Sequence, residues 1–149
     1  MLQTSYKLLT INQYSMGILD KFLGKENRET VSNTKGINWQ VLQDEEKLKE
    51  IVNESFNKPT AIFKHSTRCS ISSMAKRRLE RNWDIEEEAL NIYYLDLIAF
   101  RSVSNKIAEA FEVQHESPQI LLLKDGEVTF HTSHNDISVE GLKAELQEV

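Results

Sequence analysis

One cysteine, two prolines and five glycines are all that the 149 residues contain of these types, and each shortage removes a class of protein. Cys69 alone cannot close an internal disulfide, and any metal site would have to rest on histidines and carboxylates. Neither GxxxxGK nor GxGxxG occurs, so the glycine-rich phosphate cradles are absent, and there is no G-x-S-x-G elbow for a serine nucleophile. No stretch approaches the roughly 18 apolar residues that a membrane span needs; the longest apolar runs are three or four residues, around Ile62 and from Ile120 to Leu123. Positive charge is also in short supply. A net charge of −5 and a pI near 5.4 argue against the broad basic face that nucleic-acid phosphates require.

What is present suits one globular domain preceded by a tail. Apolar residues make up 40% and charged residues 28%, enough to build a core at this length. Residues 1–36 differ in kind: they hold five Lys/Arg against three Asp/Glu and three of the five glycines, and Lys25 to Lys35 shows no sustained apolar period. A flexible N-terminal tail is expected there. Ile18, Leu19, Phe22 and Leu23 share one helical face within it. MLQTSYKLLTINQYS lacks the apolar core and the cleavage site of a secretory signal, which points to the cytoplasm. Met16 opens MGILDKFLGK, which reads as an alternative start and makes residues 1–15 a candidate over-extension.

From Ile37 onward strand and helix periods alternate. INWQVL predicts a first strand. Leu48, Ile51, Val52 and Phe56 follow at helical spacing after the acidic opening Asp44, Glu45 and Glu46, and Lys58-Pro59 stops that helix. TAIFK (60–64) predicts a buried strand. A second helix is expected from about Cys69 to Asn82, with Ile71, Met74, Ala75 and Leu79 facing inward. IYYL (92–95) predicts a third strand, and Val103, Ile107, Ala108 and Phe111 mark a third helix. QILLLK and EVTFHT are joined by Asp125-Gly126, a two-residue turn that demands an antiparallel hairpin. Val139, Leu142 and Leu146 mark the last helix. The order β-α-β-α-β-α-β-β-α, with parallel early strands and an antiparallel end, predicts an α/β domain over residues 37–149. Its thioredoxin-like fold has a central mixed sheet of about five strands flanked by about four helices.

The chemistry centres on Cys69. KHSTRCSISS places the thiol after a strand and at the start of a helix, where unpaired N–H groups and the positive helix end favour a thiolate. Arg68, His65 and the run Lys76, Arg77, Arg78 and Arg81 add positive charge in an acidic domain. The competing reading is a small buried hydrophobe beside a solvated basic face. Ser72 stands where a dithiol oxidoreductase carries its second sulfur; its hydroxyl can donate to the thiolate but cannot close a disulfide, so release must come from an outside thiol. Ser70, Ser72 and Ser73 equally suit first-turn capping. Ser117-Pro118 precedes the QILLLK strand, and in this fold a cis bond is expected there, exposing backbone groups able to align a substrate. Thr67, Ser117 and Pro118 are the candidate substrate-binding residues. His131 and His134 lack a third ligand, so no metal is assigned. Neither His65 nor His115 has a spacing that calls for contact with the sulfur.

KHSTRCSISS, followed by YYLDLIAFRSVSNKIAEAFEVQHESPQILLLKDGEVTFHTSHNDIS, resembles the YtxJ-type bacillithiol-system proteins, the monothiol bacilliredoxins, over about residues 37–149. The resemblance implies a cytosolic protein that uses the cysteine matching Cys69 to remove bacillithiol, or a similar low-molecular-weight thiol, from mixed disulfides on other proteins. That thiol would be a co-substrate and no cofactor would be held permanently. Proline usually follows the family's cysteine, whereas Ser70 stands here and adds an N–H donor near the sulfur. CSIS also differs from the CGFS of cluster-binding monothiol glutaredoxins, its serine crowding the place of the glycine. The alternative function is a noncatalytic redox sensor or adaptor module on the same fold.

Overall fold

A computed structural model describes residues 36–148. The expected tail and the apolar face at Ile18 to Leu23 lie outside the described residues, Gly36 apart. Five strands, β1 (Gln40–Val41), β2 (Thr60–His65), β3 (Asn91–Asp96), β4 (Gln119–Lys124) and β5 (Glu127–Ser133), alternate with four helices. These are α1 (Glu45–Glu54), α2 (Ser70–Asn82), α3 (Arg101–Phe111) and α4 (Val139–Gln147), with a 3-10 turn at His134–Asp136. The sheet runs β1-β3-β2-β4-β5. β3 pairs parallel with β1 and β2, and β4 pairs antiparallel with β2 and β5.

Strand alternation sorts the core into two layers. Ala61, Phe63, Ile120 and Leu122 point to the side where Ala75 and Leu79 of α2 pack with Val139 and Leu142 of α4. Ile62, Leu121, Leu123, Tyr93 and Leu95 point the other way, onto Leu48 and Ile51 of α1 and Val103 and Ile107 of α3. β2 and β4 are buried on both faces, which is why TAIFKH and QILLLK read as continuous apolar runs with little alternation. The Asp125-Gly126 turn has φ values of 52 and 80, the paired positive angles that a tight hairpin requires.

Three expectations are corrected. The first strand is only Gln40–Val41: Ile37 and Trp39 pack instead as half-buried side chains on the α2 side of the sheet. The first helix ends at Glu54, ahead of Pro59, with Ser55 as its C-cap in helical backbone angles and also bonded to the hairpin. Its carbonyl accepts from Asp125 N at 3.0 Å and its hydroxyl accepts from Gly126 N at 2.9 Å. Phe56 is therefore 60% exposed and lies over Gly126, not in the core. In α2, Ile71 and Met74 are 52% and 64% exposed, while Ser72, Ala75 and Leu79 face the sheet. Ala75 and Leu79 face inward as expected, and Ser72 takes the place that hydrophobicity alone gives to Ile71 and Met74.

The strand directions bring four connections to one end of the sheet. Lys64 is opposite Gln119, and Gln119 opposite Ser133, so the β2–α2 turn, the approach to β4 and the exit of β5 are level. The β3–α3 loop joins them, Leu97 N donating to His65 O at 3.0 Å.

Candidate active site

Cys69 is the N-cap residue of α2, with extended backbone angles and a side chain that makes no capping hydrogen bond. Asp44 and Ser138 show what the other choice looks like: each caps its helix by accepting from an N–H three residues on, Lys47 and Gly141 respectively. The first bond from α2 back to this residue is Ser73 N to Cys69 O at 3.1 Å, so the N–H groups of Ser70, Ile71 and Ser72 lack an intrahelical acceptor. The thiol is partly exposed, which removes the reading of Cys69 as a sealed core hydrophobe. Thr67, Arg68 and Ser70 are all exposed around it.

Ser72 is held inside the protein by two hydrogen bonds. Fully buried, its Oγ accepts from Ser66 N at 3.0 Å and lies 2.6 Å from Nδ1 of His65. Burial and then the nearby Lys76 ammonium hold the His65 imidazole below its ordinary range, so near neutral pH the ring is uncharged. The hydroxyl thus ties the start of α2 to the β2–α2 turn and to His65. The sequence offered a signal for this pairing only in retrospect, as a histidine ending a strand seven residues before a buried serine.

The expected basic field is likewise thinner than the composition suggests. Lys76 forms an ion pair with Glu80 and stands over the rings of Trp39 and Tyr94 at 5.6 and 5.9 Å. Arg78 donates to loop carbonyls. Arg68, exposed in the turn before the thiol, is the cation left beside it in the described residues.

Ser117-Pro118 is cis, as the fold led us to expect, and its place at the start of β4 puts it at the same sheet end as the β2–α2 turn. Pro118 O accepts from His134 N at 3.0 Å, and the buried Ser117 hydroxyl has no partner among the described residues. His115 turns away from the thiol: its Nδ1 lies 3.2 Å from Ser104 Oγ and 3.4 Å from Nζ of Lys64. Burial, then Lys64 and Arg101, lower its affinity for a proton. Lys64 is 0% exposed and escaped the sequence reading, although a lysine inside TAIFKH was there to be questioned. Among the described residues no group of three His, Cys, Asp or Glu is arranged to hold a metal ion.

The family description Monothiol bacilliredoxin BrxC matches residues 40–142. The chain belongs to this family. Among solved structures it is similar to a protein of thioredoxin fold described as a candidate oxidoreductase, at 31% identity and a TM-score of 0.62, covering 72% of this chain and 92% of that one. A Malassezia sympodialis thioredoxin shares the fold at 17% identity and TM-score 0.59, over 75% of this chain and 90% of its own. Mitochondrial thioredoxin 3 of Saccharomyces cerevisiae does so at 15% and 0.57, over 74% and 95%. Membership and fold together place this bacilliredoxin family member among thiol-redox oxidoreductases, with a thioredoxin-like mixed sheet as expected. No helix among the described residues is long and apolar enough to cross a membrane.

Proposed function

We propose that the protein is a monothiol oxidoreductase of the cytoplasm that reduces mixed disulfides between proteins and a low-molecular-weight thiol, bacillithiol being the best candidate. The observation that carries this reading is the pairing of a partly exposed Cys69 at an uncapped helix tip with serine, not cysteine, three residues on. The Cys69 thiolate attacks the small-thiol sulfur of protein–S–S–R. The original S–S bond breaks, the client leaves as a thiolate that takes a proton from water, and Cys69–S–S–R forms. A second R–S⁻ then attacks the R sulfur, releasing the Cys69 thiolate and R–S–S–R, so each client thiol freed consumes one small thiol and the disulfide passes from the client to R–S–S–R.

The N–H groups of Ser70 and its neighbours at the helix tip are the donors available to a negative sulfur. The exposed Arg68 suits the carboxylates of an anionic thiol. Thr67, Ser117 and Pro118 border the sulfur's end of the sheet and are the residues proposed to align the substrate. The thiol enters and leaves as co-substrate, with no permanent cofactor.

Intact-mass spectrometry tests this directly. On mixing with a bacillithiol-capped client protein, the chain is expected to gain one bacillithiol as the client loses it, and to shed that mass when free bacillithiol is added. An adduct that free thiol does not clear would identify a sensor, and no adduct at all would end the proposal.

A further inference from the structure

The run from Val113 to Ser117, which leads from α3 into β4, has no helix or strand of its own and is held in place by side chains. Gln119 Nε2 donates to Gln114 O at 3.0 Å, and Ser133 Oγ bonds to the Glu116 carboxylate. Between these two fastenings sits His115, whose Nδ1 lies 3.2 Å from Ser104 Oγ and 3.4 Å from Lys64 Nζ. Lys64 belongs to β2, the strand that leads to Cys69, and Ser104 to α3, so one imidazole ties the run to two elements. An ammonium has hydrogens to give and no lone pair, and Lys64, which burial lowers only to about 8, is an ammonium below neutral pH. Its contact with His115 is therefore attractive only while Nδ1 carries no proton. The surroundings favour that state: after burial itself, Lys64 from β2 and Arg101 from α3 lower the ring's hold on a proton, while Glu116 within the run opposes them. β4 contributes only the neutral Gln119, directly across from Lys64. A charged ring would stand beside a cation that is 0% exposed and cannot retreat into water, whereas His115 is exposed and can. Histidine is the side chain whose charge changes in the range of about pH 5 to 8.

We infer that His115 is a positioning residue whose protonation loosens the run into Ser117 and Pro118. Neutral, the ring fastens that run to β2 and α3 through Lys64 and Ser104; charged, it turns out to solvent and leaves the run to its fastenings at Gln114 and Glu116. Exchange then slows in acid because the aligning residues are misplaced, over and above the loss of thiolate. The inference rests on exchange at Cys69 and on alignment by Ser117 and Pro118, as proposed above. It also gives the buried ammonium a purpose. A neutral residue at position 64 would not repel a charged His115; the ammonium makes the catch sensitive to a single proton.

The test takes the ratio of two second-order rate constants for Cys69: attack on a bacillithiol-capped peptide, and alkylation by iodoacetamide, which needs the thiolate but no aligned disulfide. The ratio removes the thiolate fraction. In the wild-type chain it is expected to fall between pH 7 and pH 5. His115→Ala should hold it about fivefold below wild type at pH 7, the scale of one hydrogen bond, and at the same low level at pH 5. His115→Asn, whose amide oxygen can accept from Lys64 but takes no proton, should remove the fall. Lys64→Met takes away the repelling charge, and the ring-proton NMR signals of His115 should then titrate at higher pH than in wild type, a shift that a merely structural role would not produce. A ratio that falls equally in wild type and His115→Asn, or a His115 titration that Lys64→Met leaves in place, would overturn the inference. A wild-type chain that iodoacetamide alkylates but that attacks the capped peptide at no pH would end exchange at Cys69 itself, and the positioning role with it.

Discussion

Cys69→Ser is expected to abolish release of a capped client's thiol while leaving the chain folded. The sequence has no second sulfur nucleophile, and a hydroxyl cannot form the mixed disulfide. Serine is also among the best N-cap residues, so at a helix tip where Cys69 makes no capping bond the variant should unfold at the same or a higher temperature, by about 0.5–1 kcal/mol of added helix stability. Loss of activity with retained stability, measured by thiol release beside thermal unfolding, assigns the chemistry to the sulfur; persistent release would refute it. Ser72→Cys tests the neighbouring position in the same assay. That residue is buried, three positions on and within 2.6 Å of a His65 ring nitrogen able to take a proton. The introduced thiol should attack the Cys69 mixed disulfide, form an internal disulfide and expel the small thiol without help from a second one. Intact mass should then show a chain two hydrogens lighter than its reduced form. A long-lived mixed disulfide would show that the introduced thiol does not reach the Cys69 sulfur.

The second large effect is on stability and comes from Lys64. Its ammonium is buried in the sheet, facing Ser104 O at 3.3 Å, the His115 ring and, across the strand pair, Gln119. Arg101 and Glu116 also act on that His115 ring. None of the ion pairs among the described residues includes Lys64. Burial pushes its pKa down to about 8 from 10.5. The unfolded chain therefore holds this proton more firmly than the folded one between those two values. The penalty is complete below pH 8 and is relieved as pH rises toward 10.5. Lys64→Met keeps the length and removes the charge, and is expected to stabilise the protein by about 2–3 kcal/mol at pH 7. Urea unfolding at pH 7 and pH 9.5 should show the gap between variant and wild type shrinking with pH. Tyr93, whose pKa burial raises to about 12, contributes equally to both chains and cancels. A gap that stays constant or widens would rule out a Lys64 that holds its proton less firmly folded than unfolded.

Element order and strand pairing were legible because their signals are local. Asp125-Gly126 fixes a hairpin by its two positive φ angles, and the helical crossovers among β1, β2 and β3 lead to parallel neighbours; that β4 lies antiparallel to β2 is not readable from those connections. The cis bond at Ser117-Pro118 was legible only through the fold, since an X-Pro bond taken by itself favours trans. What failed to show were choices made between distant segments. Ile71 and Met74 look like core residues beside Ala75 and Leu79, yet α2 turns Ser72, Ala75 and Leu79 to the sheet and leaves those two side chains exposed beside the 3-10 turn. Phe56 continues the helical stripe of α1, but Ser55 is claimed by the hairpin tip. Ser72 pairs with His65 because strand and helix meet there, and nothing in the spacing of HSTRCSIS ranks that contact above one to the thiol.

The anchoring of the hairpin tip by Ser55 gives the molecule two unlike poles. At the tip, Asp125 N and Gly126 N both bond to the single residue Ser55 that caps α1; at the sulfur's pole, the main-chain bonds Leu97 N to His65 O and His134 N to Pro118 O are supplemented by separate side chains, Ser72 and Arg78. Evolution or a designer can therefore retune the reactive pole one residue at a time, while the opposite pole acts as a fixed chassis that such edits leave in register.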